Sequence, residues 1–232
     1  MTEELSRVAQ QLTDDLELAS APVQISYLDA APKGVQEHPG GAPSVCTFFS
    51  EGKTKAFYAP LPEHEACEIG AFVLGINPEG EKATKLMAMI GMMQKEGYLA
   101  PGEEAKIPRN AQAPKFVAYG PLGSLPMPPT DVLMFARPKS AMLAMEASSA
   151  PVPVNGRPMC AVVPTLHAGA PVAVSTGCVG SRIFTGMGDD TMIVGVRGDQ
   201  LTEFAHRLRT IRSANAAVGT EDRRRKAGYH PQ

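Results

Sequence analysis

Between residues 3 and 18, Leu5, Val8, Leu12 and Leu16 recur every three or four positions among polar neighbours, with Ala9 beside them. That spacing predicts an amphipathic helix lying on a sheet. The segment from Pro22 to Leu28 alternates apolar and polar residues, as a half-buried strand does, and the Ala-, Pro- and Gly-rich stretch from Asp29 to Pro43 reads as a surface loop. Val45–Phe49 and Thr54–Ala59 read as two strands around the polar turn Ser50-Glu51-Gly52-Lys53. Pro60-Leu61-Pro62 then introduces a helix starting at Glu63, with Cys67 inside it or just before it.

From Glu81 to Glu96 the positions of Leu86, Met89, Ile90 and Met93 form a helical stripe closed by Gly97. Methionines at this period, Met87 and Met92 included, read as adaptable core packing rather than as metal or haem ligands. Residues 98–115 form a polar connection. Strands follow at Phe116–Tyr119 and Val132–Phe135, on either side of the turn-forming Pro121–Pro129, and a helix runs from Lys139 to Ser148. Pro151–Pro158 is an extended linker; Cys160–Val163, Val172–Ser175 and Thr191–Val196 read as strands, and Gln200–Ile211 as a last helix. Strands and helices alternate loosely, so the expected fold class is α/β (α+β mixed): one layered domain of mixed sheet and helices over residues 1–232, with residues 214–232 as a basic C-terminal tail.

Composition narrows the function classes. At about 150 residues per domain, 232 residues suffice for a sizeable core, and 22 glycines and 21 prolines are too few for a low-complexity chain. Acidic residues dominate the first eighteen positions, the reverse of an export signal. The uncharged run between Arg157 and Arg182 is broken by three prolines and three glycines, so it reads as a buried pair of strands and not as a membrane span. A cytoplasmic chain is expected, in which Cys46, Cys67, Cys160 and Cys178 stay reduced and serve as core fillers, metal ligands or redox groups. The phosphate-binding loop, the nucleophile elbow and the dinucleotide fingerprint are all missing from the sequence. Arginines and Lys226 crowd the C-terminus, but the net charge of −2 and the absence of tryptophan favour a solvated tail over nucleic-acid binding.

The cysteines echo one another. Cys46 and Cys160 each open an expected strand, and each is followed by a turn, a second strand and another cysteine, at separations of 21 and 18 residues. Gly70-Ala71-Phe72 then answers Gly180-Ser181-Arg182 with a slip of one position, and each half ends in an amphipathic helix. This predicts an internal duplication, residues 20–115 and 130–213, whose pseudo-twofold packing would bring the four thiols to one seam. Four converging thiolates make a zinc site or hold an iron–sulfur cluster, although no C-x-x-C spacing is present.

Ala21-Pro22-Val23, Cys46, the segment Ala66-Cys67-Glu68-Ile69-Gly70-Ala71-Phe72-Val73-Leu74-Gly75, Cys160 and Gly177-Cys178-Val179-Gly180-Ser181-Arg182 together resemble the domain-of-unknown-function 169 family, also called ArCR. The resemblance spans nearly the whole chain. It implies a single prokaryotic cytoplasmic domain with cysteines at characteristic places, and it implies no activity.

The glycines around Cys178 permit close backbone approach, so Gly180, Ser181 and Arg182 are candidates for holding a small anionic ligand, with Arg182 as a bidentate clamp. His64, near Cys67, is a candidate ligand or proton carrier, set against a solvated helix-start histidine; His167 reads as an exposed turn residue, His38 as a loop residue, and Asp189-Asp190 as a solvated turn. The leading expectation is a protein holding a metal centre on Cys46, Cys67, Cys160 and Cys178, iron–sulfur before zinc, beside a pocket for a small anionic molecule, and performing redox or Lewis-acid chemistry. Two readings stand beside it: a non-enzymatic metabolite-binding module with structural cysteines, and a metal-free cysteine enzyme.

Overall fold

Side chains on a pleated strand alternate between faces, and here that alternation sorts the core into two layers. In a computed structural model describing residues 2–153 and 158–227, the strands are β1 (Val23–Leu28), β2 (Phe57–Pro60), β3 (Phe116–Pro121), β4 (Asp131–Ala136), β5 (Pro151–Pro153), β6 (Val172–Ser175) and β7 (Met192–Arg197). They form one mixed sheet in the order β2-β3-β1-β4-β7-β6-β5. On β4, β6 and β7, Val132, Met134, Val172, Val174, Val194 and Val196 face one core, while Leu133, Ala173 and Ile193 face the other.

The rear core is covered by α1 (Thr2–Asp15), α5 (Pro138–Ala147) and α8 (Leu201–Arg225), which bring Leu12, Leu143, Phe204 and Leu208 onto the valines. Where helices do not reach, the rear of β1 carries polar residues satisfied by the loop after β3: Gln24 donates to the Met127 carbonyl at 2.6 Å and Ser26 to that of Pro128 at 2.9 Å. The front core is covered by short helices, namely α2 (Val45–Glu51), α3 (Glu68–Val73), α6 (Val162–His167) and α7 (Val179–Thr185), while α4 (Gly80–Lys95) lies outside them. Gly195 makes the α6 contact possible, because a Cβ there would stand 2.3 Å from Val162 Cγ1.

Setting β5 aside, the strand order reads the same from both sides of the β1–β4 pair. β1–β4, β1–β3, β2–β3, β4–β7 and β6–β7 are all antiparallel, and Gln24 lies opposite Val132 at the centre. Strand β3, which completes the first half-sheet, lies beyond residue 115.

The mixed α/β class holds, but two expected strands are helical. Val45–Phe49 forms α2, and Cys160–Val163 is a 3-10 turn (Met159–Ala161) running into α6. The run from residue 158 to Arg182 is correspondingly two helices around β6 rather than a strand pair. The first half's helix α4 precedes β3 whereas α8 follows β7, so these two helices are not counterparts. The expected tail continues α8 in a single helix to Arg225. The centre of the 151–158 linker and the last five residues of the tail lie outside the described residues. Among the described residues, no helix is long and apolar enough to cross a membrane.

Candidate functional site

Two of the short front helices are capped by cysteines, and the other two carry one in or just before the first turn. Cys67 is the N-cap of α3, its sulfur accepting from the Gly70 amide at 3.2 Å, and Cys178 is the N-cap of α7, its sulfur accepting from the Ser181 amide at 3.3 Å. A first-turn amide has no partner within its helix, so each sulfur takes the place of a capping hydroxyl. Ser181 returns the bond, its hydroxyl oxygen accepting from the Cys178 amide at 3.0 Å and completing a capping box. Cys46 lies in the first turn of α2, after the N-cap Ser44, whose hydroxyl is 2.9 Å from the Cys46 sulfur. Cys160 is buried in the 3-10 turn before α6. Gly70 lets α3 lie against α2, since a Cβ there would be 2.6 Å from Val45 Cγ2.

These four elements surround one cavity of about 540 Å³, and all four cysteines line it. None is in a disulfide. The remaining wall is mostly apolar: Ile69 and Met159 inside, Met89, Met92 and Met93 from α4, and Ile183 and Phe184 from α7. The methionine stripe thus borders the cavity and not the core; on α4 only Leu86 is buried, and Met89 and Met92 are exposed at the cavity's edge. Glu68 is the one charged side chain among the lining residues.

Burial governs the thiols. The Cys46 thiol is pushed up to about 11 by desolvation, opposed by the Ser44 hydroxyl. Cys67 is raised by burial and partly relieved by the Gly70 amide. Cys160 is raised further by burial and by the other three cysteines. Low dielectric disfavours a thiolate, and each thiolate disfavours the next, so at neutral pH these three are held as thiols.

The anion site expected at residues 180–182 is not assembled in this way. Gly180 and Ser181 line the cavity, but Arg182 does not; its guanidinium donates to the carbonyls of Gly188 and Thr176 and closes the loop after α7. Its Nε lies 3.9 Å from the Asp189 carboxylate. Gly70 and Ser181 both occupy the third helical position after a capping cysteine, which removes the one-residue slip read from the sequence.

Of the histidines, His64 departs from expectation, whereas His167 is exposed and His38 lies in a loop, as read from the sequence. His64 is not solvated but buried, its Nε2 2.8 Å from the Tyr119 hydroxyl, and burial lowers its pKa to about 4. His167 ends α6 and sits 2.8 Å from Asp131, a buried carboxyl raised by desolvation. His38 is buried, with its Nε2 3.2 Å from Glu51. None of the three lines the cavity. The Asp189-Asp190 turn is exposed. Sequence reasoning missed the Ser44 cap and the Cys178–Ser181 box; a serine directly after a proline and just before an apolar run was the available signal for the first.

Among the described residues, no three His, Cys, Asp or Glu side chains form a group that could hold a metal ion as they stand. A family model described as uncharacterised ArCR matches residues 11–207, a span that contains all four cysteines. No curated protein and no solved structure matches the chain.

Proposed function

The chain belongs to the domain-of-unknown-function 169 (ArCR) family, and from that premise and the cavity we propose that it carries a thiolate-held polynuclear metal centre, iron–sulfur before any other. The observation that carries the reading is the convergence of all four cysteines, from four separate helix starts, on one apolar cavity. A lone zinc ion, with Zn–S near 2.3 Å, would need the sulfurs about 3.8 Å apart. Among the described residues no such group stands ready, so zinc falls behind a larger centre that reaches sulfurs spread around a cavity.

Charge supports the same choice. Cys46, Cys67 and Cys160, raised by burial and by neighbouring thiols, are poor nucleophiles, which weighs against any of these three as the nucleophile of a metal-free cysteine enzyme. A bound cation reverses that balance, because a coordinating thiol is deprotonated outright. The anionic ligand expected at Arg182 is not carried forward, since the described residues of the wall include no basic side chain. The chemistry supported is electron transfer or Lewis-acid chemistry in an apolar pocket, within a reducing cytoplasm.

Anaerobic reconstitution with ferrous iron and sulfide tests the proposal. Stoichiometric iron and acid-labile sulfide, with broad visible absorption that is lost when all four cysteines become serine, is the expected result. A colourless protein without bound iron overturns it. The apolar wall would then favour the second reading, a metabolite-binding module, in which a fluorescent apolar probe binds equally well to the four-serine chain.

A further inference from the structure

We infer that the four thiols work as two pairs, each taking one cysteine from each half of the chain: Cys46 with Cys178, and Cys67 with Cys160. The inference deepens the metal-centre reading and rests on it for its chemical meaning.

The sheet supplies the symmetry. Its order is palindromic about β1–β4, so β1, β2 and β3 answer β4, β6 and β7 in turn. Between β1 and β2 comes α2 with Cys46; between β4 and β6, just before α6, comes Cys160. After β2, past a 3-10 turn at Leu61–Ala66, and after β6 come the helices capped by Cys67 and Cys178, each sulfur accepting from the third helical amide. The equivalent residues are therefore Cys46 with Cys160 and Cys67 with Cys178. Helix packing then decides which thiols meet. The helix α2 of the first half packs most extensively on α7 of the second, and α3 of the first half packs on the 3-10 turn carrying Cys160, which also touches α2. Those two contacts are the same contact under the pseudo-twofold, and each sets a first-turn or pre-helix cysteine against a capping cysteine.

One thiolate from each half at each end of a centre means that loading ties the two half-sheets together across β1–β4. Ligand bound only by the folded chain raises its stability, and here that gain needs both halves.

The pairing is tested without metal by dibromobimane, which becomes strongly fluorescent when two nearby thiols each displace one bromide, each thiol losing its proton. The full-length reduced chain is used in four double variants. Cys46→Ser/Cys178→Ser and Cys67→Ser/Cys160→Ser each leave one inferred pair intact and should fluoresce at least tenfold more than Cys46→Ser/Cys67→Ser and Cys46→Ser/Cys160→Ser, which leave none. Peptide mapping of the doubly alkylated, unsubstituted chain should give the same two pairs, so the inference stays exposed even where a variant fails to fold. Equal fluorescence in all four variants, fluorescence confined to the other combinations, or cross-links in none overturns it. Because no iron is involved, the pairs can be found where reconstitution fails, and a cluster can form where the pairing proves wrong.

Discussion

The two faces of the sheet solve the same packing problem differently. Behind it, α1, α5 and α8 lay long apolar stripes on the valine-rich strands β4, β6 and β7, and the loop after β3 covers β1. In front, four helices of six or seven residues start at or beside cysteines and leave an apolar cavity between them. A helix that short gains little by itself, and its capping bonds and side-chain packing must hold it. The contrast teaches that the front gives up continuous packing to aim four sulfurs at one place, while the rear provides the rigidity that keeps them aimed.

The sharpest way to separate the faces is to remove sulfur without removing caps. Serine accepts the third helical amide as well as cysteine does, so Cys67→Ser with Cys178→Ser should change stability in urea by only about 0.5 kcal/mol while iron loading falls to background. A rear-face change should do the opposite. Leu208→Ala removes a fully buried side chain and should cost about 2–5 kcal/mol in urea unfolding, with iron per folded chain unchanged.

A smaller effect tests the front core by pH. The buried His64 has a folded pKa of about 4 against 6.5 for the free group. The unfolded chain therefore binds the proton first, and the stability His64 gives is complete above pH 6.5 and is lost as pH falls from there toward 4. Between pH 7 and pH 5 that loss is roughly 2 kcal/mol, and His64→Gln should flatten this part of the urea-unfolding profile. The smallest expected effect is at Ser44, whose hydroxyl accepts from the Thr47 amide at 3.3 Å. Ser44→Ala should cost about 1 kcal/mol, measured by thermal unfolding, and should bring faster alkylation of Cys46 if α2 frays.

Much of the rear face was legible because long periodic segments declare themselves: α1 and α5 fall close to where the 3.6-residue spacing of Leu5, Val8 and Leu12 and the run from Lys139 place them. The front was harder for a physical reason. Val45-Cys46-Thr47-Phe48-Phe49 is a short apolar run rich in β-branched and aromatic residues, and periodicity cannot tell a buried helical turn from a strand at that length. Cys160–Val163 misleads in the same way. The meeting of the four cysteines was foreseeable only through their repeated order along the chain, because neither spacing resembles a metal motif. Arg182 looked like a ligand clamp because local sequence does not reveal that its guanidinium bonds the carbonyls of Thr176 and Gly188 and faces Asp189.

Iron K-edge X-ray absorption of the reconstituted protein tests the central claim most directly. The account predicts a first shell of sulfur alone and a short iron–iron vector, both lost in the chain with all four cysteines changed to serine. A first shell of oxygen and nitrogen without an iron–iron vector, or a spectrum unchanged by those substitutions, would contradict it.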